Sequence, residues 1–449
     1  MENYLFTEFE RISTQAWKTK IQADLKGADY NETLLWKTSE NITIKPFYTK
    51  EDRNFEQIKL PENGFKICQT IEVKNEKSAN LFAHTALKRG ANSLKFILKD
   101  VVDLKKLLKD IDTQNIILFF KINFLSPKFI VKLTEIVNSN HCFLNVDIIG
   151  KLVSSGNWYQ SFKKDFLDLE VIAKKNKNFL AVDASIYQNA GANISQQLAY
   201  SLAHANEYLN YFEGTVAKHI HFNFSIGSNY FFEIAKLRAF RILWRSLLKE
   251  YGIQEINTHI LSQPSLRNKT IYDYNVNMLR TTSECMSAIL GGSNTITNLA
   301  YNKIFQEPND FGERISRNQL LILQQESGLK EAQNIANGAY FIESITHQIA
   351  NNALDIFKQI EKGGGFLKQL KEGIIQKKIK ESARKEQEKF DKGELILLGT
   401  NKIQNPKDSM KNKLETPLFV KTRKEKTLIE PIIERRLAEE LEQKRLSKE

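Results

Sequence analysis

Two hydrophobic patterns alternate along the chain between about residues 65 and 361. Short apolar runs have strand length, and the segments between them carry apolar residues at helical spacing. Segments 78–90, 196–212 and 229–252 have clear helical character, and Gly252 is expected to end the last of them. The eight predicted strands are KICQTIEV (66–73), SLKFIL (93–98), NIILFFKI (115–122), CFLNVDII (142–149), FLAVDAS (179–185), HIHFNFSI (219–226), NTHILS (257–262) and SNTITNLAY (293–301).

Eight strands that alternate with helices over roughly 300 residues predict an α/β fold, the (β/α)8 TIM barrel. An open doubly wound sheet is the alternative on pattern alone, although the G-x-G-x-x-G motif expected after its first strand is absent. The chain is therefore divided into an N-terminal arm (1–60), a barrel (61–365) and a C-terminal arm (366–449). The GGG at 363–365 follows a helical segment, so it is interpreted as a helix cap and hinge.

The two arms differ in character. The N-terminal arm opens with an amphipathic helix and places Trp36, Phe47 and Tyr48 among polar residues, so these rings are expected to pack against another surface. The C-terminal arm is helical and charged, with one predicted apolar strand, ELILLGTN (394–401). It contains too few apolar residues to form a domain of its own.

Composition narrows the classes of function. The net charge is +12, and residues 366–449 hold 22 Lys/Arg against 15 Asp/Glu. The two signs alternate there as on solvated helices, and no nucleic-acid-binding motif accompanies them, so nucleic acid is not an expected partner. The three cysteines form no CxxC pair, the N-terminus lacks signal-peptide features, and no run of 18 apolar residues occurs. We expect a cytoplasmic protein without a membrane span.

Several strands predict a polar barrel interior. Alternate residues of a strand face opposite sides of the sheet, whereas an ordinary barrel bore is filled by Val, Ile and Leu. Buried polar groups need partners, so they either bond one another or surround a polar ligand. The polar residues predicted to line the bore are Gln69, Asn145, Asp147, Asp183, Gln188, His221, Asn223 and Ser225, with Phe143, Ser185 and His219 on the same faces.

Two constellations of these residues suggest chemistry. Asp147, Asp183, His221 and His259 could converge as an acid/base cluster if their strands are adjacent, but structural Asp–His bonding is the commoner explanation for such residues. His219-x-His221 has a spacing that a metal ion could use. No CxxC or HExxH companion is present, so no metal site is predicted.

Long segments resemble the methylmalonyl-CoA mutase family. ADLKGADYNETLLWKTSENITIKPFYTKED (23–52) is similar to its N-terminal arm. NVNMLRTTSECMSAILGGSNTI (275–296), FGERISRNQLLILQQES (311–327) and LILLGTNKIQNPKD (395–408) resemble its RTT…GG, RIARN and GVN segments. The resemblance covers nearly the whole chain. It implies a (β/α)8 barrel whose polar bore admits the pantetheine arm of a CoA ester, with adenosylcobalamin over one end.

The sequence departs from the family pattern at three positions, which we call the lapsed positions. In DASIYQNAGANIS (183–195), QNAGA resembles the catalytic chains' QEAGA, but Ser185 and Ile186 stand where the family has a Tyr-His pair. ICQTI (67–71) is similar to a segment whose Gln precedes an active-site Tyr, and Thr70 stands there instead. None of the seven histidines lies in the D-x-H-x-x-G motif that ligates cobalt. The comparison implies that no catalytic residue is retained.

Resemblance and departures together imply the small, non-catalytic subunit of a heterodimeric methylmalonyl-CoA mutase. No flavodoxin-like cobalamin domain is expected within these residues, and adenosylcobalamin is expected in the large catalytic partner, which would interconvert succinyl-CoA and methylmalonyl-CoA. One alternative is a regulatory module that binds acyl-CoA, although Phe143 and the apolar third strand are expected to obstruct its channel. The other is a partner-independent enzyme that uses Asp147, Asp183 and His221.

Overall fold

The computed structural model describes residues 8–10, 12–52, 58–61, 64–137, 140–254, 256–331, 334–419 and 425–449. A short hairpin precedes eight parallel strands, and each predicted barrel strand is present. The strands are β1 (Trp36–Lys37), β2 (Thr43–Ile44), β3 (Lys66–Glu72), β4 (Ser93–Leu98), β5 (Ile117–Ile122), β6 (Cys142–Asn145), β7 (Leu180–Asp183), β8 (Ile220–Ile226), β9 (Ile260–Pro264) and β10 (Thr295–Thr297).

The eight parallel strands close into a barrel. Their order is β6-β5-β4-β3-β10-β9-β8-β7, and a bridge between Val146 and Leu180 joins the two ends. Outward-facing residues such as Leu94, Phe96 and Phe222 pack against the surrounding helices in one large core. The prediction of a (β/α)8 barrel is therefore confirmed.

Helices separate the strands and continue beyond the barrel. They are α1 (Thr14–Asp24), α2 (Tyr30–Leu34), α3 (Glu76–Lys88), α4 (Leu104–Leu107), α5 (Pro127–Ile136), α6 (Ile148–Ser155), α7 (Phe162–Ala173), α8 (Ser185–Asn189), α9 (Ile194–Tyr211), α10 (Tyr230–Glu250), α11 (Val276–Leu290), α12 (Asp310–Leu321), α13 (Tyr340–Lys362), α14 (Phe366–Lys371), α15 (Ile374–Asp391) and α16 (Glu439–Leu446). Among the described residues, no helix combines the length and the apolar character needed to cross a bilayer.

Local capping explains several helix boundaries. Asn193 and Gln196 form a reciprocal capping box at the start of α9. Gly252 follows α10 with a φ of 67°, a conformation that glycine adopts at low cost, as predicted from the sequence. The GGG at 363–365 directly follows α13, which agrees with its interpretation as a cap.

Two predicted elements are corrected. The fourth barrel strand ends at Asn145 rather than continuing to residue 149, because the Asp147 carboxylate accepts a hydrogen bond from Gly150 N and starts α6. The segment ELILLGTN (394–401) forms a turn instead of a strand. Its Asn401 side chain bonds the backbone of Leu395 and Leu397, which competes with strand pairing.

The described part of the N-terminal arm packs partly on the barrel of its own chain. Trp36 contacts Phe232 on α10, with ring centroids 6.4 Å apart, and Tyr48 contacts Phe341 on α13 at 5.3 Å. The expectation that the rings pack against a surface is therefore met only in part, because Trp36 is 57% exposed and Phe47 contacts Trp17 of the arm itself. Helix α1 is different, because none of its residues is buried.

Residues 428–442, which we call the C-terminal strap, cross the end of the barrel at which the strands terminate. Backbone hydrogen bonds join the strap to α6, to α8 and to the loop after β9, segments that each follow a barrel strand: Ile432 N to Val153 O (2.8 Å), Arg435 N to Asn189 O (3.0 Å) and Leu437 N to Arg267 O (2.9 Å). These segments lie on the face on which barrel enzymes carry their active sites. The strap therefore covers part of the functional face.

A buried ion pair fixes the end of the strap. The Glu442 carboxylate accepts hydrogen bonds from Ile271 N (2.9 Å) and from the Arg436 guanidinium, and both side chains of the pair are buried. Arg436 also donates to the Lys269 carbonyl oxygen at 3.2 Å. Because a buried charge is costly without its partner, the two side chains depend on each other.

Replacing Glu442 should destabilise the fold. In Glu442→Ala the Arg436 guanidinium stays buried without its carboxylate, and the free energy of unfolding is expected to fall by about 3–5 kcal/mol. Urea unfolding measures this change. Glu440→Ala, which alters an exposed carboxylate on the same helix, is the matched control and should behave like the parent chain. Equal stability of the two variants would contradict a structural role for the strap.

Candidate functional site

Aromatic rings fill the middle of the barrel bore. Phe119 on β5 and Phe143 on β6 stack with ring centroids 5.0 Å apart. The His259 ring lies 4.3 Å from Phe143 and 5.5 Å from Phe119, and the His221 ring lies 5.3 Å from Phe143. We call these four residues the aromatic stack. Apolar residues that pack with it are Cys68, Ile117 and Leu261. At this level the bore is a packed core rather than a channel.

The two imidazoles of the stack have hydrogen-bond partners of their own. His221 Nε2 lies 2.8 Å from Asn145 Oδ1, and His259 Nε2 lies 3.0 Å from Thr295 Oγ1. Burial lowers the pKa of each imidazole to about 3, and the charge of Lys95 acts in the same direction on His221. Both rings are therefore neutral near pH 7, and neither is matched to proton transfer there.

Further polar side chains face the bore closer to the mouth. Asn223 and Ser225 on β8 are buried, as the alternation of the strand predicts, and so is Asn145. Within the described ranges, the Asn223 amide and the Ser225 hydroxyl have no hydrogen-bond partner. The sequence-based placement of these residues in the bore matches the structure.

Charged residues stand at the mouth of the bore. Lys121 Nζ lies 3.0 Å from Asp183 Oδ2, and the Ser185 hydroxyl donates to the same carboxylate. Burial acts to raise the pKa of Asp183, but the positive charge of Lys121 and the hydroxyl bond outweigh it and hold this pKa at about 2. Asp183 is therefore a fixed anion at neutral pH.

Sequence analysis missed Lys95 and Lys121, which both line the mouth. They sit in runs that look apolar overall, SLKFIL and NIILFFKI. Strand alternation could have identified them, because residues two apart lie on the same face of a strand. Lys95 lies on the same face as Ser93, and Lys121 lies on the same face as Phe119. Lys95 is 5% exposed, and burial together with the charge of Lys121 lowers its pKa to about 8.

Asp147 lies at the rim but not in the bore, so its predicted placement is wrong. Its carboxylate accepts hydrogen bonds from Tyr208 Oη at 2.8 Å and Asp183 N at 3.0 Å, and lies 2.9 Å from His204 Nε2. His204 in turn bonds Tyr187. The carboxylate thus caps α6 and ties it to α9 and β7 in a satisfied, structural network.

Two glutamines also lie elsewhere than predicted. Gln69 points out of the bore toward α12, where its side-chain oxygen accepts from Arg317 at 2.8 Å and its amide donates to Glu313. Gln188 is buried at the rim, where it accepts a hydrogen bond from Lys236 at 3.1 Å and contacts Glu233. Both amides serve to join elements of the barrel.

The predicted acid/base cluster does not assemble. Asp147 faces α9, His221 bonds Asn145, and His259 bonds Thr295 near the opposite end of the bore. His219 lies in a turn before β8 and contacts a phenylalanine ring, so it does not pair with His221 for a metal. No group of three potential metal-ligating residues occurs in the part of the chain that the structure describes.

The sequence matches the family model described as methylmalonyl-CoA mutase over residues 96–446. The chain belongs to the methylmalonyl-CoA mutase family.

Curated relatives of this mutase-family chain cover different shares of it. The methylmalonyl-CoA mutase small subunit of Porphyromonas gingivalis is 36% identical over 441 residues, which cover 89% of this chain and 71% of that protein. The methylmalonyl-CoA mutase of Cereibacter sphaeroides is 28% identical, covering 88% of this chain and 64% of that protein. The Escherichia coli enzyme is 34% identical, covering 50% of this chain and 33% of that protein. The chain thus spans less than two thirds of the length of the latter two relatives.

In this mutase-family barrel, the lapsed positions offer no group that titrates near neutral pH. The Thr70 hydroxyl lies 2.9 Å from the Thr297 hydroxyl, and the Ser185 hydroxyl bonds Asp183. Ile186 is buried in the large core. These side chains complete local packing and hydrogen bonding at the mouth.

A cavity of about 650 Å³ extends sideways from the mouth. It begins at Lys95 and Lys121, passes over the end of β3, and continues between α3 and α12. The strap contributes Glu434 and Arg435 to its wall. A space of this size is typical of small-molecule sites, and it does not follow the barrel axis.

Acidification should weaken the fold through the two imidazoles of the stack. His221 and His259 remain neutral in the folded protein down to about pH 3, whereas each binds a proton below about pH 6.5 when unfolded. The unfolded state then binds more protons, so stability falls by about 1.4 kcal/mol per histidine for each pH unit below 6.5. Urea unfolding at pH 7 and pH 5 measures the difference.

A matched pair of variants isolates this contribution. His221→Gln keeps a donor for Asn145 and should shrink the difference between pH 7 and pH 5 by about 2 kcal/mol. His84→Gln, on α3 outside the bore, should leave the difference as in the parent chain. An undiminished difference in His221→Gln would show that this imidazole is not held neutral by burial.

Proposed function

We propose that this chain is the non-catalytic small subunit of a heterodimeric, adenosylcobalamin-dependent methylmalonyl-CoA mutase. The observation that carries the proposal is the aromatic stack: Phe119 and Phe143 occupy the axis along which the pantetheine arm of a CoA ester would pass. The small-subunit name of the Porphyromonas gingivalis relative supports the same role. The large partner would carry out the isomerisation of succinyl-CoA and methylmalonyl-CoA.

The two acids at the mouth of the barrel support a role without acid–base catalysis of their own. General acid–base catalysis near pH 7 needs a group whose pKa lies near that pH and which can reach the substrate. Asp183 is an anion paired with Lys121, and Asp147 is enclosed by His204 and Tyr208. These acids hold the structure together.

The residues at the mouth do not fit a corrinoid. The strap lies across α6, α8 and the loop after β9, where it is fixed by the Arg436–Glu442 pair. Histidine in a D-x-H-x-x-G motif is also missing from the sequence. We therefore assign adenosylcobalamin, whose bound form supplies radical chemistry, to the partner subunit.

The two alternative functions have less support. A regulatory acyl-CoA site within the bore would require space that the aromatic stack fills. A partner-independent enzyme would require Asp147, Asp183 and His221 to act together, but the first faces α9 and the last bonds Asn145.

Contact with the partner is assigned to the arms. Helix α1 has no buried residue, and Trp17 on it and Phe9 before it are exposed. Apolar side chains left exposed on an otherwise packed chain are typical of interaction surfaces. We expect a cytoplasmic heterodimer in which this chain stabilises the catalytic subunit through mass action.

Substitution at the mouth should leave the activity of the complex unchanged. The chain is co-expressed with the large mutase subunit encoded in the same genome, and isomerisation of succinyl-CoA is measured on the purified complex. With Asp183→Asn in this chain, kcat is expected to stay within about twofold of the parent complex, since the reaction takes place in the partner.

Ser185→Ala serves as a gentler variant, because it leaves the Lys121–Asp183 ion pair in place. A loss of about a hundredfold or more in kcat for both variants, in complexes that still assemble, would contradict the proposal. Isomerisation by this chain alone would contradict it as well.

A further inference from the structure

Two amino groups meet at the mouth of the barrel, one from Lys95 on β4 and one from Lys121 on β5. The two strands pair in register with Ile97 opposite Lys121, so both lysines lie on the bore-facing side of the sheet. Both line the space of about 650 Å³ that extends sideways from the mouth, which we call the lateral cavity.

The carboxylate nearest to these amino groups is already engaged. Lys121 Nζ lies 3.0 Å from Asp183 Oδ2, and the Ser185 hydroxyl donates to the other oxygen of that carboxylate. Within the described residues, the Lys95 amino group takes part in no hydrogen bond and no ion pair at contact distance, although the residue is 5% exposed. Lys95 is therefore buried without a counterion in contact with it.

Such a position favours the uncharged amine. Moving an ammonium group from water into a protein interior is costly unless an anion and hydrogen bonds compensate for the lost hydration. Burial and the repulsion from the Lys121 ammonium together lower the pKa of Lys95 to about 8. The neutral amine carries a free electron pair on nitrogen and is a nucleophile, whereas the ammonium is not.

The wall of the lateral cavity favours conversion of this amine into an anion. Eight Lys and Arg side chains line the described part of the wall, Lys95 included, against six Asp and Glu side chains. A negative charge on the Lys95 side chain would leave seven cations facing seven anions. It would also attract the Lys121 ammonium, which a positive charge at the same place repels.

We propose that Lys95 is a carbamylation site, at which the buried amino group reacts reversibly with carbon dioxide. The nitrogen electron pair attacks the carbon of carbon dioxide and forms a C–N bond, one C–O π pair moves onto oxygen, and the nitrogen releases one proton to solvent. The product is a carbamate anion, and no oxidant or reductant takes part.

Carbon dioxide fits this position because it needs no shaped pocket. The reactivity of the amine selects the residue, and the carbamate supplies the negative charge that Lys121 and the cationic wall lack. The site does not depend on the role in a mutase complex, so either proposal can fail without the other.

Chemical trapping locates the carbamate. The full chain is equilibrated with ¹³C-labelled bicarbonate at pH 8, carbamates are ethylated with triethyloxonium, and the trypsin-digested protein is analysed by mass spectrometry. The label should lie in a peptide that spans residues 90–99, because a trapped Lys95 resists cleavage. A lysine of ordinary pKa is neutral about a hundredfold less often at pH 8, so surface lysines should carry roughly a hundredfold less label.

Two variants complete the test. Lys95→Met should lose the trapped label, whereas Lys88→Met, at an exposed position of α3, should be labelled like the parent chain. If Lys95→Met does not fold, Lys95→Arg replaces it, because a guanidinium keeps the charge and stays protonated. Absence of label from the 90–99 peptide of the parent chain, or equal labelling of Lys95 and the surface lysines, would overturn the proposal.

Discussion

The stacking of Phe119 on Phe143 across the barrel axis is the contact on which the rest of this structure depends. An eight-stranded barrel has an interior just wide enough to be filled by side chains, so two phenylalanine and two imidazole rings suffice to close it. The stack gives the barrel an inner core. The same packing removes the axial space that a threaded ligand would need.

The polar residues around the filled bore join elements of the fold instead of lining a channel. At the mouth and rim, acids are bonded to bases or hydroxyls: Asp183 to Lys121, Asp147 to Tyr208, and Glu442 to Arg436. The first two pairs join elements that are distant in the sequence, and Glu442 does so through its hydrogen bond from Ile271 N. These charged and hydrogen-bonded pairs hold the strand ends, the helices and the strap in position. Because the acids in them are paired, they are not free to exchange protons near neutral pH.

The sequence predicts the architecture well because the barrel strands have strong apolar patterns and regular spacing. The inward positions of Phe143, His221 and Asn223 follow from strand alternation alone. Strand alternation predicts the wrong side-chain direction for residues beyond the end of a strand. Asp147 is such a residue, because it caps α6 instead of extending β6. Gln69 is a different case, because it shares a strand face with Ile67 and Ile71, which pack in the outer core, so alternation itself places it outside the bore.

Other features depend on contacts between distant segments, which a single sequence does not display. The hydrogen bonds of Arg436 to the Lys269 carbonyl oxygen and of Ile271 N to Glu442 exist only when the strap is folded over the barrel. The environment of Lys95 likewise depends on Asp183, which is bonded to Lys121. The family resemblance gave the fold and the lapsed positions. It marked Thr70, which lines the cavity at the mouth, but not the contribution of the strap residues Glu434 and Arg435 to the wall of that cavity.

The most direct test of the central claim is a crystal structure of this chain soaked with coenzyme A, which carries the pantetheine arm but no acyl group. The account predicts that the rings of Phe119 and Phe143 stay in contact and that no ligand density lies along the barrel axis. Pantetheine density passing between displaced rings would contradict it.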